Sequence, residues 1–173
     1  MIIAGYAEDE KRSYLHKLET KIFEDNIHAK FISNNVRAKR SINENVKTYS
    51  LWDAYVHADL ITFPSLWEGW GNQFIEAVFA KKPVAMFEYP VFEKDIAPEG
   101  FDIISLGNKT LPKDDKALYK LSEKNLNEAV TETTTCLTNS SLNKTLERNF
   151  FLGKKFHDYK ILEDFLVEEL ELL

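Results

Sequence analysis

The pattern of apolar and polar positions changes period several times along the chain, and each change marks an element. Met1 to Tyr6, MIIAGY, is an apolar run ended by Gly5 and predicts a short buried strand. From Glu8 to about Asn26 the period becomes 3.6. Tyr14, Leu15, Leu18, Ile22 and Phe23 share one helical face, with acids leading and lysines following as the helix dipole favours. Ala29 to Ile32 predicts a second strand, punctuated by Ser33, Asn34 and Asn35. Val36 to Lys47 reads as a polar loop carrying Arg37, Lys39, Arg40 and Lys47. A short helix through Ala58 follows, capped by Thr48 or Ser50, with Leu51, Tyr55 and Val56 turned inward.

The strongest pattern runs from Asp59 to Pro90: strand, glycine-containing loop, helix, strand. Asp59 to Phe63 is apolar and β-prone, and Pro64 closes it because proline cannot donate to a ladder. Glu68 to Asn72, EGWGN, forms the loop. The helix spans about Asn72 to Lys81, and Pro83 opens a strand from Val84 to Phe87. Phe92 to about Ala97 predicts one or two helical turns stopped by Pro98 and Gly100, and Phe101 to Leu106 predicts a last strand. From Asp114 onward the pattern is helical: Leu121 to about Leu137, then Leu142 to Phe156 with Leu146, Phe150 and Phe151 on one face, then Ile161 to Leu172. Strands alternating with helices predict a Rossmann-like, doubly wound α/β domain with parallel strands and ligands beyond the C-terminal strand ends. The expectation is a single domain over 1–173, with a sheet part over 1–110 and a C-terminal helical part over 111–173.

Composition narrows the class. Apolar residues make up 44% of the chain and charged residues 29%, ordinary values for a globular protein. No apolar run approaches the ~18–20 residues of a membrane span, and no signal peptide opens the sequence. The single cysteine, Cys136, rules out an intrachain disulfide and fits the cytoplasm. A net charge of −6 argues against broad nucleic-acid binding, although it leaves room for a small anionic ligand. The basic loop is either solvated surface or a neighbour of bound phosphate.

The candidate chemistry lies in the loop and its helix. Glycines just before a helix N-terminus leave free N–H groups where the dipole favours an anion. Glu68 and Glu76 bracket that N-terminus. The helix Phe74 to Ala80 is apolar almost all round, so an ionised Glu76 there needs a partner. One turn into the helix, it is placed to accept hydrogen bonds from a diol such as a ribose, or to pair with a basic side chain. Glu68 alone is more often a helix-terminal cap than a catalyst. Gly69 and Gly71 allow close backbone approach, and Trp67 and Trp70 flank the loop.

With these residues in view, the stretch from Asp53 to Ile96 closely resembles the nucleotide-sugar-binding domain of retaining glycosyltransferases of family 4, which have the GT-B fold. The resemblance rests on Glu68, seven residues and Glu76, on Ala58-Asp59 through Pro64-Ser65 before them, and on Pro83-Val84 after them. It extends to MIIAGYAEDEKRSYLHKL, which looks like the second strand and helix of that domain, to AKFISNNV, which looks like its third strand and the loop near the base, and to the C-terminal helices. It implies a donor that is a UDP- or GDP-hexose, such as UDP-glucose or GDP-mannose, and transfer with retention. Glu76 would hold the ribose hydroxyls, and Glu68 would act at the donor hexose as the catalytic carboxylate. The N–H groups of Gly69, Trp70, Gly71 and Asn72 would face hexose or diphosphate, and Asn34 and Asn35 would lie near the base. No metal or other cofactor is implied, and the acceptor would come from an N-terminal domain.

The sequence departs from that pattern at two places. Lys82 stands where the family has a glycine before the Pro-Val strand. The family's first strand and helix, with an Arg and a Lys for the diphosphate, have no counterpart, nor does the acceptor domain. The expectation is a fragment whose two strand edges, near Ile2 and Leu60, would be left unpaired and open to a companion chain or a second copy. Two alternatives stay open: a non-catalytic nucleotide-binding remnant, and an interaction subunit docking through its sheet edges.

Overall fold

The computed structural model describes residues 1–4, 12–43, 46–113, 118–138 and 142–171. They fall into two compact units, Met1–His57 and Ala58–Leu173. In both, parallel strands alternate with helices, so the chain is an α/β protein.

In the first unit, β1 (Ile2–Ile3) pairs in parallel with β2 (Lys30–Phe31), with α1 (Arg12–Glu24) between them in sequence. The predicted strand end at Gly5 and helix start at Glu8 lie outside the described residues. On α1, Leu15, Leu18 and Ile22 are half-buried as the periodicity predicts, whereas Tyr14 is exposed and Phe23 is 86% exposed. The polar loop predicted from Val36 to Lys47 is instead mostly strand. β3 (Val36–Arg37) runs parallel to β5 (Val46–Ser50), and β4 (Ser41–Asn43) pairs antiparallel with β5. Apart from Val36 these strands are largely exposed on both faces, so no alternation of apolar and polar side chains betrays them. The backbone ladder holds them, helped by a 2.7 Å hydroxyl pair between Ser41 and Thr48.

The helix α2 (Leu51–His57) starts where expected, but its cap is built the other way round. Asp53 reaches back to accept from the Ser50 N–H at 2.8 Å and from Ser50 Oγ at 3.0 Å. Arg40 grips the same carboxylate with two nitrogens. The Arg40 hydrogen bonds hold the Asp53 carboxyl well below the usual carboxylate range, with Ser50 adding to them and burial opposing. Tyr55 is buried on α2, while Val56 is exposed rather than inward.

The second unit is built on three parallel strands in the order β6 (Ile61–Phe63), β7 (Val84–Met86) and β8 (Ile104–Ser105). All of β7 is buried although successive side chains point to opposite faces, so both sides of the sheet are covered. On one side Ala85 and Ile104 meet Ala129 of α4 (Glu123–Thr138), with half-buried Cys136 packed against them. Burial raises the Cys136 thiol above its ordinary range. Between β6 and β7 the chain forms α3 (Asn72–Phe79), whose Phe74, Ala77 and Val78 are buried. Phe74 meets the rings of Phe92 and Phe101 edge-on at 5.4 and 5.2 Å.

α3 ends in a Schellman turn. Lys82 N–H donates to Ala77 O and Lys81 N–H to Val78 O, with Lys81 at φ +53°. The left-handed position that wants a glycine is thus Lys81, one residue before the Lys82 singled out in the sequence. Its side chain is held by Glu147 at 2.7 Å and by the Phe150 ring at 4.4 Å.

Those partners sit on α5 (Leu142–His157), which is followed by α6 (Tyr159–Glu171). Of the apolar face predicted on α5, Phe150 packs edge-on against Phe79 at 5.9 Å and Leu146 is half-buried, whereas Phe151 is 65% exposed. The contact surface also includes Asn149, Gly153 and His157, spaced by four and so aligned on one face. Asn149 is buried and clasps the backbone of Asp102 through both its amide atoms, at 2.9 and 2.7 Å. Gly153 lies against α3, where a Cβ would come within 2.8 Å of Val78 Cγ1. His157 binds Glu99 at 2.6 Å. An isolated antiparallel bridge, Leu111 to Lys120, lies between β8 and α4.

Candidate functional site

Because β6, β7 and β8 are parallel, the loops after them gather at one end of the sheet, the end where such folds place ligands. Glu68 to Gly71 follow β6, Glu88 and Tyr89 follow β7, and Leu106 and Gly107 follow β8. Short bonds tie the three loops together. Phe87 N–H donates to Phe63 O at 3.2 Å and Glu88 N–H to Gly107 O at 2.9 Å. Ser105 Oγ donates to the Glu88 carboxylate and accepts from Gly107 N–H.

The sequence-predicted residues of the loop and helix come together here. Glu68 is half-buried in the loop, Gly69 is exposed, and Asn72 is the exposed first residue of α3. Glu76 is half-buried one turn further in. The two glycines differ. A Cβ on Gly69 would meet open space. Gly71, the residue preceding α3, has φ +91°, and a Cβ there would lie 1.9 Å from the Tyr89 hydroxyl. Trp70 turns its ring edge-on to His157 at 5.6 Å, and Trp67 is 75% exposed. Asn34 and Asn35 belong to the other unit, in a 3₁₀ turn (Ser33–Asn35) where both are exposed.

Two residues that sequence reading passed over belong to this loop cluster. Tyr89 is fully buried and donates its hydroxyl to Trp70 O at 2.7 Å. Burial, and then the charge of Glu68, push its phenol up to about 12. Glu88 sits beside it, joined to Ser105. The signal that would have found both is positional: they follow the central strand of a parallel sheet at its C-terminal end. Of the basic residues predicted in the first unit's loop, Arg40 is engaged by Asp53 and Arg37 by Ser33 O and Val36 O.

The relatives of this chain are glycosyltransferases. It is 37% identical over 171 residues to a protein of Thermotoga maritima named mannosylglucosylglycerate synthase. It is 36% identical over 165 residues to one of the same name from Petrotoga mobilis. These alignments cover 98% and 93% of the chain but only 37% and 36% of the relatives, so the chain spans little more than a third of their length. No family model matches the sequence, and no solved structure matches it. Among the described residues no helix is long and apolar enough to cross a membrane.

Proposed function

We propose that this chain supplies the donor-binding part of a retaining glycosyltransferase that moves a hexose from a nucleoside diphosphate sugar. The observation that carries the reading is that Glu68 precedes α3 and Glu76 lies one turn inside it, at the C-terminal end of a parallel sheet. In this reading Glu76 accepts from the ribose hydroxyls. Glu68 lies against the hexose, where its charge stabilises the oxocarbenium character that develops as the glycosidic bond breaks. The N–H groups of Gly69 to Asn72 serve the hexose and diphosphate. The relatives' name adds direction: a mannosyl group on a glucosylglycerate makes GDP-mannose the first donor to try. The remaining length of those relatives is where acceptor binding would reside.

Isothermal titration of the chain with UDP, GDP, UDP-glucose and GDP-mannose tests the reading. Saturable binding of one donor, abolished by Glu76→Ala, is the expected result. Absence of binding at millimolar donor refutes it. Binding with no turnover, even when the chain is combined with the region of the relatives outside the alignment, would favour a nucleotide-binding module without catalysis.

A further inference from the structure

A buried side chain from the loop after β7 bonds to the backbone of the loop that carries Glu68. Tyr89 lies under the loop, its ring edge-on to Phe63 at 6.0 Å and tilted against Phe92 at 5.9 Å. Its hydroxyl is satisfied by one bond, to the carbonyl of Trp70 at 2.7 Å. The Trp70–Gly71 peptide is trans, and in a planar trans peptide the C=O and N–H point in opposite directions. Drawing the Trp70 carbonyl onto the buried phenol therefore turns the Gly71 N–H away from the core. The next carbonyl, Gly71 O, already accepts from Phe74 N–H at 2.9 Å as the first bond of α3. One hydroxyl thus sets the peptide that joins the Glu68 loop to the helix carrying Glu76. The space at Gly71 is shaped to the same hydroxyl, and the left-handed φ there excludes other residues for a second reason.

We propose that Tyr89 is a positioning residue for the donor: its hydroxyl fixes the Trp70–Gly71 peptide in the orientation that presents the loop amides to the hexose–diphosphate end of a nucleotide sugar. This rests on the donor-binding reading above. Tyr89 touches no substrate, and it acts through the backbone it holds. Without the hydroxyl the ring still fills its place in the core, but the peptide is free to turn its carbonyl outward, where it would oppose an anion.

The test is Tyr89→Phe in the full chain, with GDP-mannose and UDP-glucose as probes and guanosine and uridine as controls lacking phosphate and sugar. Loss of one net hydrogen bond predicts an affinity about fivefold weaker for whichever nucleotide sugar binds. Its nucleoside, read by NMR titration, should bind unchanged. Equal losses for nucleotide sugar and nucleoside, or no loss for either, overturn the proposal. A second arm needs no ligand: Gly71→Ala should cost less stability in the Tyr89→Phe background than in the wild type, and equal costs overturn the lock. If the unsubstituted chain binds no donor, the donor-binding reading and the role of Tyr89 toward it fall together, an outcome distinguished by the wild-type titration alone.

Discussion

Gly153→Ala puts two effects of known size in opposition. A glycine inside a helix is less favourable than alanine by about 0.5–1 kcal/mol, so on an open surface the substitution would stabilise α5. Here the new methyl would come 2.8 Å from Val78 Cγ1, with Phe79 Cζ next at 3.8 Å. Val78 is 1% exposed, and a β-branched side chain in a helix has one strongly preferred χ1, so it cannot swing aside. Overpacking of this kind costs about 1–3 kcal/mol, which outweighs the propensity gain. The expected net effect is a destabilisation of about 1 kcal/mol, a fall in Tm of about 2–4 °C for a chain of this size. Urea unfolding followed by circular dichroism measures it. The decisive comparison is the Val78→Ala background, where the methyl has room and Gly153→Ala should become stabilising by about 0.5–1 kcal/mol. A rise in stability in the wild-type background, or the same cost in both, would refute the close approach of α3 and α5. Helix α3 also carries Glu76, the carboxylate proposed above to hold the ribose.

Three further outcomes follow from the structure. Asn149→Ala strips both partners from the Asp102 backbone in a buried place and should cost about 2–4 kcal/mol by urea unfolding. The Tyr89 phenol is raised from about 10 in the unfolded chain to about 12 in the folded one. That stabilisation is complete below pH ~10 and disappears as pH rises toward ~12, an alkaline loss of about 2–3 kcal/mol. Tyr89→Phe should remove that loss and Glu68→Gln should reduce it, both read from unfolding midpoints across this range. Asp53 shifts the other way. Its folded value lies below the ~4 of the unfolded chain, so its stabilisation is present above pH ~4 and lost as pH falls further. Asp53→Asn should be less stable at pH 7 yet lose less between pH 7 and 3.

The parallel strands of the second unit were legible because both faces of β7 are buried, which writes a continuous apolar run into the sequence. The Glu68 loop was legible because glycines and carboxylates around a helix start are few and their spacing is specific. The strands from Val36 to Ser50 were not, since a strand exposed on both faces leaves no alternation to read. Tyr89 was missed because Glu88-Tyr89-Pro90 after a strand looks like punctuation. Only the fold reveals that the phenol turns back under another loop. On α5 the apolar periodicity found Leu146 and Phe150 but also pointed to the exposed Phe151, while Asn149, Gly153 and His157, which complete the face in contact, leave no hydrophobic pattern to read.

That face of α5 has a consequence for how the helix finds its seat. A stripe of leucines offers many near-equivalent fits, since sliding by one turn or rotating slightly exchanges one apolar contact for another. Asn149, Gly153 and His157 allow no such exchange. The amide needs the Asp102 backbone, the missing side chain needs Val78, and the imidazole needs Glu99. Sliding the helix by even one residue, about 1.5 Å, would strand all three at once. The helix is keyed to one pose, and the competing poses are excluded by chemistry that a hydrophobic face cannot supply. To the apolar contact of Phe150 with Phe79 these three residues add singularity of arrangement, and the helix bearing Glu76 inherits that singularity through Val78.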